Sequence, residues 1–186
     1  YNYYQEDPET EPKAQPLLLT LKKAYSYFPV VDSLPELSAK YIIGVEGCVW
    51  GEYIPDSRTA EYWAFPRTSA LSEVGWTKRQ NKDWQSFRVR MEKELKRLGM
   101  SGVNCSEAYW NVIFDYDSVN LPRPERADLM LDYPGAAIRY TTDGSEPDMD
   151  SRIFLSAFTP EKGTTVRTQG FTHDGKKVGK EVEKKF

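Results

Sequence analysis

The segment Trp50-Gly51-Glu52-Tyr53 holds the residue types in this chain best suited to work on a bound ligand. An indole offers a broad apolar face with one polar N–H at its edge. A carboxylate two residues away accepts charge-assisted hydrogen bonds from hydroxyl donors. The segment follows residues 41–49 (YIIGVEGCV), a nearly continuous apolar run broken by Gly44 and Gly47. Such a run reads as a strand covered on both faces, as in a parallel sheet. The carboxyl ends of parallel strands are where α/β folds place ligands. A glycine within the strand lets another backbone or a ligand come close. Spacing alone leaves two readings of the segment level. In one, Trp50 and Glu52 meet a ligand; in the other, Trp50 caps the core and Glu52 is a solvated loop acid.

Other chemically capable groups read as structural. Glu46 is expected to be a strand carboxylate paired inside a barrel. Arg67 and Glu73 lie on one helix and are expected to be buried polar partners rather than catalysts. The single His173 sits in a turn-like His-Asp-Gly stretch, which argues against histidine metal sites and a Ser-His-Asp triad. The acidic stretch 143–150 (DGSEPDMD) lacks the ligand spacing of an EF-hand and reads as a solvated turn. No metal and no cofactor are expected. Cys48 and Cys105 allow one bridge or none.

The elements that must position these groups follow from periodicity. Residues 17–28 form a short helical or mixed segment. Residues 58–74 have helical spacing, with Asp56 or Ser57 as N-cap and Pro66 kinking the helix or lying near its first turn. Residues 83–98 form the clearest amphipathic helix, with Trp84, Phe87, Met91, Leu95 and Leu98 on one face, Asp83 at its start and Gly99 as C-cap. Composition shifts near Pro122-Arg123-Pro124, so the domains are placed at 1–118 and 119–186. Beyond that shift, residues 136–142, 151–155, 164–172 and 177–186 read as strands, with a hairpin turn at His173-Asp174-Gly175. They suggest a small antiparallel sandwich of roughly 65 residues, a marginal size on its own.

The chain has 186 residues and a formal charge of −3, with Lys+Arg 25 against Asp+Glu 28. That balance argues against a nucleic-acid partner. No apolar run approaches the ~20 residues that cross a bilayer. Aromatic residues reach 13%, which fits large cores or a surface that stacks on flat ligands such as sugar rings. The chain opens on Tyr1-Asn2-Tyr3-Tyr4-Gln5, which reads like the end of a buried aromatic strand, followed by the acidic, proline-rich stretch 6–16. A chain that starts inside a strand is expected to be a piece of something larger.

The order of these features carries a resemblance. A Tyr-Tyr-Gln strand end and an acidic-proline loop precede Ile42-Ile43-Gly44-Val45…Trp50-Gly51-Glu52-Tyr53. A helix with Phe65-Pro66-Arg67…Ser72-Glu73-Val74…Trp76 follows. This order resembles the C-terminal part of glycoside hydrolase family 20, the β-N-acetylhexosaminidases. The run Ile138-Arg139-Tyr140-Thr141-Thr142-Asp143-Gly144-Ser145-Glu146-Pro147 resembles the small β-sandwich that follows the barrel in many bacterial members.

The resemblance implies the C-terminal portion of a (β/α)8 TIM barrel followed by a small antiparallel β-sandwich. Residues 1–5 would end the seventh strand, 41–50 would be the eighth strand and 58–75 the eighth helix. It implies that Trp50 helps wall the pocket around the substrate's N-acetyl group and that Glu52 binds hydroxyls of the terminal sugar. Asn2 stands where the family usually has an Asp and is carried over as a third substrate-binding residue, one that keeps a hydrogen-bonding group but drops the charge; the family's acetamide-binding Tyr would fall before residue 1. The implied activity is removal of terminal N-acetylhexosamine by a retaining mechanism, in which the substrate's own acetamide oxygen attacks the anomeric carbon. The family's Asp-Glu pair supplies the acid, and this sequence has no Asp-Glu dipeptide, so no catalytic residue is assigned here. The implied partners are glycans ending in N-acetylglucosamine or N-acetylgalactosamine, together with the missing barrel portion or a second copy, because an open barrel piece exposes strand edges. By the same analogy the protein is extracytoplasmic, periplasmic or secreted. The alternative is a non-catalytic carbohydrate-binding or interaction module built on the sandwich.

Overall fold

A computed structural model describes residues 1–5, 11–114 and 125–186. The expected domain boundary at 118/119 and the composition shift at residues 122–124 lie outside the described residues. The chain divides into two compact units. The first comprises residues 1–3, 12–15 and 19–106; the second comprises 4–11, 16–18 and 107–186.

Two short strands, Tyr3–Tyr4 (β1) and Gln15–Leu18 (β2), pair near the start of the chain. Helices then dominate. Leu21–Ser26 (α1) starts where the Thr20 hydroxyl accepts the Lys23 N–H at 3.2 Å. Glu36–Ala39 (α2) is a single turn. Ser57–Ala64 (α3) begins at Asp56, whose carboxylate accepts the Thr59 N–H at 2.7 Å. That bond holds the Asp56 carboxyl below the usual range. The helix expected over 58–74 is in fact two. Phe65 is extended, the Phe65–Pro66 bond is cis, and Arg67–Trp76 (α4) begins afresh. The cause is local: proline has no N–H to continue α3, and the residue before a proline is steered out of the helical region.

Trp84–Met100 (α5) is capped by Asp83, as its sequence predicts, with the Gln85 N–H at 3.0 Å. It runs through Gly99 rather than stopping there. The reversal falls at Gly102, which has φ of +80° and donates to the Gly99 carbonyl at 3.0 Å. One aromatic cluster joins α1 and α5. The Tyr25 ring stacks on Phe87 at 4.6 Å and lies 5.4 Å from Trp84. The Tyr25 hydroxyl donates to Glu73 at 2.9 Å, and Arg90 also reaches Glu73.

The run 41–49, expected as a doubly covered strand, is neither a strand nor covered. It belongs to no sheet among the described residues, and Ile43 is 99% exposed. A parallel strand exists only through neighbours on its hydrogen-bonding edges. No described strand supplies them here, so apolar composition alone does not bury the run.

The second unit closes on itself. Its four-stranded antiparallel sheet has the order Arg152–Ile153 (β6), Ala136–Thr141 (β5), Thr165–Thr172 (β7), Lys177–Lys185 (β8). A small sheet pairs Ile113–Phe114 (β3) with Leu129–Met130 (β4). Val112, Phe114 and Leu129 from the small sheet region share one core with Ile138, Val166 and Val182 of the larger one. The hairpin at 173–175 lies where expected: the Thr172 N–H donates to the Lys176 carbonyl at 2.9 Å and Gly175 takes φ of +83°. A register shift interrupts the β7–β8 ladder between Thr168 and Gly170. The buried Gln169 amide fills it by donating to the Val178 carbonyl at 2.7 Å. The acids of 143–150 serve the turn itself. Asp143 accepts from the Ser145 hydroxyl at 2.6 Å, and Asp148 accepts from the Ser151 hydroxyl and N–H, both at 2.8 Å. These bonds hold both carboxyls below their ordinary values.

Candidate functional site

The candidate site is built on two stretches of backbone in the first unit, residues 1–3 and 48–50. Their contacts step in the same direction, residue 1 with 48 and residue 2 with 50. The Tyr1 nitrogen donates to the Cys48 carbonyl at 2.6 Å. The Asn2 carboxamide meets Trp50 twice, donating from Nδ2 to its carbonyl at 2.6 Å and accepting its N–H on Oδ1 at 2.7 Å. Asn2 is only 7% exposed. Gly47 permits the close approach. A Cβ there would lie 2.5 Å from the Tyr1 ring and 2.9 Å from Leu71 Cδ2. Gly44 has nothing near it, so the expected glycine effect operates at Gly47 alone.

Arg67 anchors the residue 1–3 stretch from below. It is fully buried, and its guanidinium donates to the carbonyls of Tyr1 at 2.5 Å, Trp63 at 2.7 Å, Tyr3 at 3.0 Å and Leu19 at 3.3 Å. It also lies over the Tyr1 ring at 5.0 Å. A buried charge is stable only when its donors are satisfied. Here backbone carbonyls take four bonds from its two terminal nitrogens, and the reading of Arg67 as a structural cation is correct in kind. These four partners are main chain, and Glu73 bonds Tyr25 and Arg90.

From this base Trp50 leads into a 3₁₀ turn over Gly51–Tyr53. The Trp50 side chain is 68% exposed. Glu52 in the same turn is exposed and accepts from Gln15 Nε2 at 3.0 Å. Lys13 lies over the Tyr53 ring at 5.1 Å. Sequence reasoning did not single out Gln15 or Lys13; an amide and a lysine in a polar stretch carry no distinguishing signal. A cavity of about 420 Å³ in the same unit is lined by Tyr1, Lys23, Tyr27, Glu46 and Leu71 among others, and none of Asn2, Trp50 and Glu52 borders it. Glu46 is exposed rather than paired inside a barrel, and it accepts from the Cys48 thiol at 3.1 Å. That carboxylate pushes the thiol pKa up, which disfavours a reactive thiolate. Cys48 and Cys105 are both free thiols. No group of three or more His, Cys, Asp or Glu that could hold a metal occurs among the described residues. No described helix is long and apolar enough to cross a membrane.

A helical part of a barrel followed by an antiparallel β domain is the architecture of this chain. Residues 1–79 match the glycosyl hydrolase family 20 catalytic domain, and residues 122–180 match the chitobiase/β-hexosaminidase C-terminal domain. The chain thus carries part of a family 20 catalytic domain followed by that C-terminal domain.

The chain is 35% identical to a β-hexosaminidase of Porphyromonas gingivalis over 55% of its own length and 13% of that protein's. It is 38% identical to a β-hexosaminidase of Akkermansia muciniphila over 39% of this chain and 14% of that one. A solved structure, the family 20 exo-β-N-acetylglucosaminidase of Vibrio harveyi in complex with N-acetylglucosamine, is 32% identical. It covers 49% of this chain and 14% of that one, with a TM-score of 0.45. The matched region is therefore about a seventh of each of these relatives.

Proposed function

We propose that this chain forms the C-terminal part of a β-N-acetylhexosaminidase, with its domains divided at 118/119. In this reading the whole protein removes terminal N-acetylglucosamine or N-acetylgalactosamine from glycans outside the cytoplasm. The reaction is retaining and substrate-assisted: the acetamide oxygen attacks the anomeric carbon while an acid from an Asp-Glu pair elsewhere in the protein protonates the leaving oxygen. Trp50 gives an apolar wall to the acetamide, which holds it near the anomeric carbon. Glu52 accepts hydrogen bonds from hydroxyls of the terminal sugar.

The observation that carries this reading is the presentation of Trp50 and Glu52 on one turn, fixed at its base and open at its side chains. The competing reading, a sugar-binding module built on the sheet unit, lacks comparable support. Among the described residues of 107–186 the exposed large apolar side chains are Met130, Met149, Ile153 and Leu155, and no described Phe, Tyr or Trp is exposed there.

The test measures release of 4-nitrophenol from its N-acetyl-β-glucosaminide and galactosaminide. A longer protein carrying this sequence and the rest of the barrel is expected to be active, and this chain alone inactive. Trp50→Ala and Glu52→Gln in the longer protein should each lower kcat/KM by about 10²-fold. Activity in the pure chain alone, or none in the longer protein, would overturn the proposal.

A further inference from the structure

Glu52 lies on the surface, so packing does little to select its rotamer. A glutamate left free loses that rotamer freedom each time a ligand binds, which weakens binding. One donor meets this problem. Gln15 Nε2 donates to Glu52 Oε2 at 3.0 Å, and Oε1 has no partner among the described residues. The bond fixes the orientation of the Gln15 amide, because a carboxylate accepts and the amide oxygen would repel it. A neutral amide also steadies the carboxylate without cancelling its charge, so Oε1 keeps its strength as an acceptor. Gln15 is itself seated by the backbone. Its N–H donates to the Asn2 carbonyl at 2.8 Å, and the preceding Ala14 is buried. Lys13 stands over the Tyr53 ring at 5.1 Å. Residues 13 and 15, on either side of buried Ala14, thus reach two successive positions of the turn that carries Glu52.

We propose that Gln15 is a positioning residue for Glu52, holding one carboxylate oxygen so that the other meets the sugar hydroxyls in a fixed direction; this rests on the hexosaminidase reading above. The effect of Gln15 passes through Glu52. Removing the donor restores the rotamer freedom of the carboxylate, and removing the carboxylate leaves the donor without a task.

The experiment uses the longer, barrel-containing protein and kcat/KM on the two 4-nitrophenyl N-acetylhexosaminides. Gln15→Leu removes the donor and should lower kcat/KM by about tenfold. In a Glu52→Ala background the same change should have no further effect, within about twofold, because the group it acts on is gone. Gln15→Glu supplies a signature that a merely structural role lacks. An isolated glutamate titrates near ~4.3, and two carboxylates in contact hold one proton to higher pH. While that proton is held, the new side chain donates to Glu52 as the amide did; once it is lost, the two repel. The ratio of variant to wild type should therefore stay within about threefold of one at pH 5 and fall about tenfold toward pH 8. Lys13 and Tyr53 stand at the same turn and are common to both proteins, so the ratio isolates the new pair. Activity at pH 5 also shows that the variant folds. A further readout needs no substrate: the nuclear magnetic resonance signal of the Gln15 side-chain amide should shift as Glu52 titrates and stay flat in Glu52→Ala.

Unchanged activity in Gln15→Leu would overturn the proposal. So would an equal loss with and without Glu52, a Gln15→Glu ratio that does not vary with pH, or an amide signal that ignores Glu52. A wild-type protein that hydrolyses neither substrate would defeat the hexosaminidase reading, while the amide signal would still decide whether Gln15 holds Glu52.

Discussion

Val166 near the start of β7 and Ile43 in the run before Trp50 are both β-branched residues in strand-like sequence. One is fully buried and the other is 99% exposed. The difference lies in their neighbours. β7 is bonded on one edge by β5 and on the other by β8, and both come from within the same short stretch of chain. The second unit thus meets its backbone and its core needs locally. The first unit meets them unevenly. Its helices pack through the Tyr25, Trp84 and Phe87 rings, and its strand-end segment is fastened by polar clamps from Asn2 and Arg67. Residues 41–49 have the composition of a central strand without the partners. β-propensity expresses fit to a paired, half-buried surface, and it does not create one.

Hydrogen exchange gives the widest separation between the two regions. Amides of Val166, Thr168 and Phe171 should be protected by at least about 10³-fold, while those of Ile43 to Val45 should exchange within about tenfold of an unfolded peptide. Comparable protection in both would break the contrast.

Two glycines sharpen it by mutation. Gly179 has φ of +68°, and a Cβ there would lie 2.1 Å from the Trp110 carbonyl oxygen and 2.5 Å from its carbon. These are backbone atoms that cannot step aside cheaply. Gly179→Ala should lower stability by about 3 kcal/mol, the sum of left-handed strain and overpacking. Gly44 has no atom within 4 Å of the same position. Gly44→Ala should change stability by less than about 0.5 kcal/mol. Urea unfolding of both variants checks the pair, and equal effects would mean that the sheet unit is not the tightly closed one.

The sequence made the local features legible and left the distant partners hidden. The spacing of Phe87, Met91 and Leu98 marks α5, and Asp56 and Asp83 mark helix starts, because each signal is complete within one or two turns. The β7–β8 hairpin is equally local. Trp50 and Glu52 stand out by type and spacing. What holds them does not, because Arg67 and Asn2 act on backbone carbonyls and amides, which every residue has and no sequence pattern records. The split of the predicted helix at Pro66 was readable in principle from proline's missing donor. The bare state of residues 41–49 was not, because a strand's partners lie far from it in sequence.

A smaller effect probes how the helical unit closes. The Tyr25 hydroxyl is buried beside α4 and donates to Glu73, while Lys82 lies over its ring at 4.7 Å. Burial first, and then the bond to Glu73, push its pKa up to about 12. The Tyr1 hydroxyl, raised mainly by burial and partly offset by Arg67, is also pushed up to about 12. An unfolded tyrosine titrates near ~10. Below that pH both states keep the proton, and the stabilisation is fully present. As pH rises from about 10 to about 12, the unfolded chain releases protons that the folded chain retains, so stability falls through that window. Tyr25→Phe removes one of the two contributions. It should cost about 1 kcal/mol at neutral pH, from the lost bond to Glu73, and should make the decline above about pH 10 shallower. Urea midpoints taken across the alkaline range would show it, and an unaltered slope in Tyr25→Phe would mean that the Tyr25–Glu73 contact does not tie α1 to α4.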